Sequence, residues 1–475
     1  MINNIQEFYS LIPFIIVGIG ILTAVIIEMY SSKSREILPW FSVFVLAASA
    51  IYQLYTLNNT AVLLNGMLAA GGNSGIFNFL FTTGAMLVVL SSKDYLQKYG
   101  SYYGEYYILL MSSVLGMMLM AGAQDLFTIF LGLELMSIPF YILAGINRKK
   151  HTANESALKY FLLGAFATGF IVYGIALIYG SVQSTSIPAI LNKFNDPAKN
   201  ILFYAGMLLF LVGFSFKIAA FPFHMWVPDV YQGAATTVAA LFSTVGKAAA
   251  FSVLIIVLGI GVSTVNQVFA PYFAAIAVFS MLYGSIVAIS QKNIKRMLAY
   301  SSIAHAGYMS IGLAAGNYES AAGIIFYLAA YIFMNIGAFG IVAMVEGEND
   351  SKLSIDYYTG LNSKKPLFAA LLSLFMFALA GIPPMAGFFG KYYVFIAAIR
   401  ADLTWLAIIG VISSAISAYF YLRIIVLMYF REPEMEYAVN NSKAGLVAVI
   451  ASGAFVMMFG LFPGTLLDLI VSFIK

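Results

Sequence analysis

Residues 216–231 read Phe-Lys-Ile-Ala-Ala-Phe-Pro-Phe-His-Met-Trp-Val-Pro-Asp-Val-Tyr. They close a long apolar run beginning at Ile201, and a lysine and a proline fall where the run should cross a membrane. Proline removes a backbone donor and breaks the helical ladder. Such a break at membrane depth survives only where protein or water satisfies the freed carbonyls. A second stretch repeats the theme at 380–395: Ala-Gly-Ile-Pro-Pro-Met-Ala-Gly-Phe-Phe-Gly-Lys-Tyr-Tyr-Val-Phe. Two broken spans, each with a lysine beside the break, point to two structural repeats.

Working outward, apolar stretches fall at 11–29, 37–57, 76–91, 106–122, 126–146, 156–180, 201–221, 234–260, 272–290, 297–315, 320–345, 367–399, 403–430 and 444–474. At roughly 20 residues per crossing this predicts an all-α polytopic membrane protein of about 14 transmembrane helices. The third is the weakest, and the twelfth and last are long and interrupted. The two breaks lie five spans apart, an odd number, so the repeats are expected to be inverted in the membrane. The expected organisation is a single membrane domain. Residues 1–100 hold three helices, 101–262 the first five-helix repeat (helices four to eight), 263–432 the second (nine to thirteen), and 433–475 the last helix.

Composition agrees. The chain of 475 residues is 62% hydrophobic and 9% charged, with a mean hydropathy of +0.92. The net charge of +4 is spread over short loops and gives no sign of nucleic-acid binding. There is no cysteine, which excludes disulfides, thiolate iron–sulfur ligation and c-type haem attachment. The three histidines, His151, His224 and His305, lack metal-ligand spacing. No cofactor or metal is therefore expected on this chain.

Loop charges test the span count. With both termini outside, fifteen basic loop residues fall on the inner side and four, Lys193, Lys199, Arg400 and Lys475, on the outer side. This is the positive-inside bias, and the inner face is expected to be the cytoplasm of a bacterium. Leu11–Met29 has no basic region before it and further spans after it, so a retained first helix is expected, not a signal peptide. Glu346–Lys365 is expected to be an inner loop.

Five ionisable residues sit inside the spans: Glu134, Lys159, Lys217, Lys247 and Lys391. A charge at mid-bilayer costs a few kcal/mol or more, so such residues usually line a bundle interior or an aqueous path. Most have a plainer reading. Glu134 could be a neutral structural carboxyl, although glutamine would serve as well. Lys217 and Lys247 could snorkel to an interface. Lys247, however, lies mid-span among small residues, Gly246 and Ala248–Ala250, that permit close packing. Lys159 follows Glu155 by four residues, an ordinary surface pair. His224 and His305 could be satisfied core residues or relay groups suited to neutral pH. Asp125 and Asp229 read as loop or helix-end residues, and Lys292–Arg296 as an anchor. Energetically, toggling a lysine between a buried unpaired state and a carboxylate-paired one spans about 4–7 kcal/mol. Moving a proton against about 200 mV needs roughly 4.6 kcal/mol.

At Asp125–Met136, 216–231, 295–307 and 380–395 the chain resembles the antiporter-like membrane subunits of respiratory complex I, and the resemblance spans nearly its whole length. It implies a proton-translocating subunit partnered by other membrane subunits, antiporter-like neighbours among them, and by lipid. NADH, flavin, iron–sulfur clusters and quinone would sit elsewhere in the complex. It implies an ion pair between Glu134 and Lys217, Lys247 as the central relay, and Lys391 as the exit-side proton site. Lys159 becomes a relay candidate, and His224 and His305 become linking residues. Some members carry glutamate at the Lys391 position, and others a long lateral helix, not expected in a chain ending at Lys475. The competing reading is a D-type subunit of a multisubunit Na⁺/H⁺ antiporter, which shares the lysine. A structural subunit with vestigial charges is the third.

Overall fold

The computed structural model describes residues 5–193, 201–261, 265–346, 350–433, 437 and 442–474. Lys199 and Lys475, two of the four basic residues assigned to the outer side, lie outside the described residues, as does part of the 346–365 loop.

The helices in chain order are α1 (Ile5–Tyr30), α2 (Ser34–Thr56), α3 (Gly72–Lys98), α4 (Glu105–Gly122), α5 (Leu126–Ala144), α6 (His151–Val182), α7 (Ile187–Lys193) and α8 (Ile201–Lys217). Next come α9 (Val227–Gly233), α10 (Thr236–Leu241), α11 (Lys247–Leu258), α12 (Val265–Ile289), α13 (Ile294–Ala315) and α14 (Tyr318–Glu346). The last are α15 (Leu361–Lys364), α16 (Pro366–Ala380), α17 (Ala386–Arg400), α18 (Thr404–Phe430), α19 (Lys443–Leu461) and α20 (Pro463–Ile474). A π-helical turn, Phe242–Gly246, joins α10 to α11.

Eleven of the described helices, with α10 and α11 taken together, are long and apolar enough to cross a membrane. Three counted segments fall outside that set. The breaks shorten two of them, Ile201–Lys217 and Pro366–Ala380. The third, α13, carries Ser301, Ser302, His305 and Ser310 and is buried from Ile294 to Ala314. It is polar because it faces the interior of the bundle and not lipid. The count of about fourteen therefore does not follow from length and apolarity alone.

Both broken spans end their first half as the sequence required. α8 stops at Lys217 before Pro222, and α16 stops at Gly381, whose φ of +84° closes the helix in the left-handed region. The bundle is centred on α14, buried from Ser320 to Glu346. α10, α13, α16, α17 and α19 pack around it, while α6 packs on α8, and α12 on α13 and α18. α4 crosses α5 at Gly116 and Gly132. A Cβ on Gly116 would lie 2.6 Å from Gly132 O, and one on Gly132 2.8 Å from Gly116 O. Only glycine permits that approach, and it fixes the depth of Glu134 two residues later.

One element was not expected. A short hairpin, Ala61–Leu63 with Leu68–Ala70, pairs Ala61 with Ala70 and Leu63 with Leu68. It covers the end of the bundle where α4 meets α5 through a Gln124 N–Met67 O bond of 2.9 Å. Glu346 also departs from its expected place: it is the buried last residue of α14, not the start of a solvated loop.

Candidate functional site

Asp125 caps α5, accepting from Phe127 N at 2.8 Å and from Thr185 Oγ1 at 2.6 Å. Nine residues on, Glu134 is half-buried and accepts from Thr168 Oγ1 of α6 at 3.1 Å. Lys217, 6% exposed at the end of α8, also points to α5. Its Nζ donates to Ser137 Oγ at 2.9 Å and Tyr141 OH at 3.1 Å, and lies 5.4 Å from the Tyr141 ring centre. Ser137 and Tyr141 follow Glu134 by one and two helical turns. No salt bridge joins Glu134 to Lys217 among the described residues. The implied ion pair is replaced by a hydroxyl-lined approach.

Lys247 follows the π-helical turn directly. Such turns shift the register of the residues after them and often occur at functional sites. At 1% exposure, its Nζ donates to Ser302 O at 2.6 Å and Ser302 Oγ at 2.5 Å, and lies 5.7 Å from the Tyr331 ring centre. Between Lys217 and Lys247 the packing is aromatic. Phe140, beside Tyr141, packs against Phe242 in a tilted pair at 4.5 Å between centroids, and its ring lies 2.5 Å from where Gly246 would carry a Cβ.

From Lys247 onward the polar row is continuous. His305, one turn beyond Ser302, lies 5.0 Å from the Tyr331 ring centre and is bonded on both nitrogens. Its Nδ1 is 2.9 Å from Tyr327 OH and its Nε2 3.1 Å from Tyr421 OH. Tyr308 comes next, 5.7 Å from His305 between ring centres, and Lys391 Nζ stands 4.8 Å over Tyr308. Lys391, 4% exposed, donates to Ala380 O at 2.9 Å and Ser414 Oγ at 2.7 Å. Ala380 is the last residue of α16, so the lysine of α17 satisfies a carbonyl released by its own break.

Lys159 and His224 stand apart from this row. Lys159 is partly exposed and bonds Glu155 at 2.6 Å and Asp229 Oδ2 at 2.8 Å. Asp229 Oδ1 also holds Arg296 Nη1 of α13 at 2.7 Å, and Arg296 reaches Gln232 Oε1 at 3.0 Å. This cluster ties α9, the far half of the first break, to both α6 and α13. His224 lies in the break itself, between the rings of Phe221 (5.4 Å) and Tyr283 (4.7 Å). Sequence reasoning missed the Asp229–Arg296 pair, Ser302, Tyr331 and Glu346. The signal for Asp229 was its place directly after Pro228, in the first turn of α9. Among the described residues, no group of three His, Asp or Glu side chains forms a cation site.

Residues 123–417 match the family model described as NADH:quinone oxidoreductase/Mrp antiporter, TM. The chain is 42% identical over 468 residues to NADH-quinone oxidoreductase subunit N 1 of Chloroherpeton thalassium, covering 98% of each chain. It is 41% identical over 476 residues to subunit N of Trichlorobacter lovleyi, again covering 98% of each. The chain belongs to the NADH-quinone oxidoreductase subunit N family. Among solved structures, this subunit N family member is similar to a chain of respiratory complex I from Thermus thermophilus with bound aureothin. The TM-score is 0.83 at 32% identity, covering 96% of this chain and 98% of that one. A chain of the Mrp complex from Dietzia sp. DQ12-45-1b shares the fold at TM-score 0.85 and 19% identity, covering 98% and 97%.

Proposed function

We propose that this chain is a proton-translocating membrane subunit of a respiratory NADH:quinone oxidoreductase, partnered by other membrane subunits of that complex. Its relatives carry that enzyme's name over 98% of their length. The observation that carries the reading is the buried row Lys247–Tyr331–His305–Tyr308–Lys391, in which each neighbour is within ring-contact distance of the next. Lys247 acts as the central relay and Lys391 as the exit-side site. Glu134 and Lys217 load protons through Ser137 and Tyr141. His305 links Lys247 to Lys391, whereas Lys159 and His224 act at the flanks. Electron transfer, NADH, flavin, iron–sulfur clusters and quinone belong to other subunits.

The chain is a bacterial inner-membrane protein with both termini on the outer side. Residues 101–262 and 263–432 are inverted repeats between three helices at 1–100 and one at 433–475. The two matching breaks, and the packing of α4 on α5 and of α12 on α13, favour that division. The Na⁺/H⁺ antiporter reading is favoured less, because the Dietzia neighbour shares only the fold.

The test is Lys247→Met, which keeps length and packing but cannot carry a proton. In vesicles holding the assembled complex, redox-coupled proton uptake should fall while the amount of complex is unchanged. Normal uptake would falsify the relay.

A further inference from the structure

Glu346 ends α14 at the face of the bundle where the basic loops gather, yet it is only 1% exposed. Its Oε2 accepts from Tyr95 OH of α3 at 3.2 Å and from Thr236 Oγ1, the first residue of α10. Tyr95 OH in turn accepts from Thr236 N at 3.1 Å. Around this knot, Tyr99 stacks on Tyr95, and Lys295 Nζ donates to Ala234 O at 2.7 Å. Tyr358, in the loop after α14, is fully buried. Burial, and then the Glu346 carboxyl, hold its phenol well above the usual range. A carboxyl in such a place is costly, and a glutamine would make the same bonds for less.

The knot lies at the foot of a column that ends at Lys247. α10, the π-helical turn and α11 run from Thr236 to Lys247, about 16 Å at 1.5 Å per residue. α14 packs against all three, running back from Glu346 toward Tyr331. Near the top of that seam three buried polar atoms, Tyr231 OH, Tyr331 OH and Asn335 Oδ1, make no hydrogen bond of ordinary geometry, although Ser302 lies beside both phenols. Buried polar groups in folded proteins are hydrogen-bonded, to ordered water when no protein group serves. Lys247 sits over the Tyr331 ring at the same place.

We propose that Glu346 is a second proton-loading residue, delivering protons from the basic-loop face to Lys247 along the α10–α14 seam. The route is independent of Glu134 and Lys217, from which Phe140 and Phe242 separate Lys247. In each passage the Glu346 carboxylate takes one proton from the aqueous side, and the carboxylic acid gives it through water to the neutral amine of Lys247. At each transfer one O–H bond breaks as the next O–H bond forms along the water, the last bond formed is an N–H on Lys247, and Glu346 returns to its carboxylate. The proposal rests on the reading of Lys247 as a relay.

The experiment compares Glu346→Gln, Glu346→Asp and Lys247→Met in the intact complex in vesicles, reading protons taken up per electron and the amount of complex. Glu346→Gln matches the size and can bond Tyr95 and Thr236, but cannot carry a proton. It should lower uptake about threefold or more with the amount of complex unchanged, and Glu346→Asp should recover at least about half of the loss. A purely structural role gives the opposite ranking, with glutamine tolerated and the shorter aspartate not, and that result overturns the proposal. If Glu346→Gln reduces the amount of complex, the infrared carboxyl bands of wild type and Glu346→Asp decide. A protonated-carboxyl band that changes on turnover and shifts in the aspartate variant supports the role, and its absence overturns it. Normal uptake by Lys247→Met removes the relay reading and this proposal together. Impaired Lys247→Met with normal Glu346→Gln removes Glu346 alone.

Discussion

The Lys217 ammonium donates to the Ser137 hydroxyl at 2.9 Å, one turn of α5 beyond Glu134. Glu134 itself accepts from Thr168 Oγ1, and the Ser137 hydroxyl, one turn away on α5, is the group placed to couple carboxyl and lysine. Residues in one hydrogen-bonded network couple by about 0.5–3 kcal/mol, while distant sites add within about 0.5 kcal/mol. In a double-mutant cycle of Glu134→Gln and Lys217→Met on proton uptake, the coupling should fall near the low end, about 0.5–1.5 kcal/mol. Repeating the cycle in a Ser137→Ala background should bring it below about 0.5 kcal/mol. Coupling that survives Ser137→Ala at full size would mean a direct pair forms during turnover.

Asp229 holds two cations from different helices, Lys159 of α6 and Arg296 of α13, but the three side chains are 29–41% exposed. Exposed pairs contribute about 0–1 kcal/mol and are screened by salt. Asp229→Asn should leave the amount of complex intact. It should speed amide hydrogen exchange in α9 relative to α4 and α5, and high salt should reproduce part of that effect in wild type. Unchanged exchange in α9 would show that the Pro-flanked turn alone holds this half-helix.

Gly116 and Gly132 set the α4–α5 crossing through backbone contact. Gly116→Ala places a methyl 2.5 Å from Met136 N, where backbone and not a flexible side chain must move. Overpacking of this kind costs about 1–3 kcal/mol. The variant should assemble poorly, as read by the amount of complex in the membrane. Gly18→Ala, with open space around the position, should be neutral. Equal behaviour of the two would remove the crossing as the determinant of Glu134's depth.

What the sequence made legible follows from physical contrast. Lys217, Lys247 and Lys391 stand out because each is alone in an apolar run, and the structure buries all three. The breaks were legible because proline and glycine act locally. Glu346 was hidden by its neighbours: Glu346-Gly-Glu-Asn-Asp reads as a solvated loop, and only packing of α3 and α10 over α14 buries the first residue. The partnership of Asp229 with Arg296 spans separate helices, and no periodicity in one segment reports it. α13 was legible as a span only by context, since its serines and histidine make it less apolar than its neighbours. The hairpin at 61–70 has strands of three residues, too short for an alternating pattern to register.

His305 is held from both sides, but its partners are not equivalent. Tyr421 OH keeps Ser301 Oγ at 2.5 Å if the imidazole is removed, whereas Tyr327 OH is bonded to His305. His305→Ala therefore leaves one buried phenol unsatisfied and opens a cavity, each about 1–3 kcal/mol. Tyr327→Phe in the same background removes the orphaned hydroxyl and should regain about 1 kcal/mol of the loss. Thermal stability of the assembled complex reads this. If the double variant is no more stable than His305→Ala, the destabilisation comes from the cavity alone.

Lys391 joins the two halves of its broken span. Its Nζ donates to Ala380 O at the end of α16 from a position one turn into α17, and Ser414 Oγ, itself 3.4 Å from Ala380 O, completes the set. A cation at the carbonyl end of a half-helix is favoured by the dipole as well as by the hydrogen bond. Lys391→Met removes both the proton and the donor, and the Ala380 carbonyl is then left with only the weak Ser414 contact. That structural part should cost about 1–3 kcal/mol. Lys391→Arg keeps charge and donors but holds its proton throughout the physiological range. The two variants thus separate structure from transport. Lys391→Met should lose both stability and redox-coupled proton release, while Lys391→Arg should keep the thermal stability of the complex and still lose release. If the arginine variant releases protons at the wild-type rate, Lys391 serves to splice the broken helix and does not titrate.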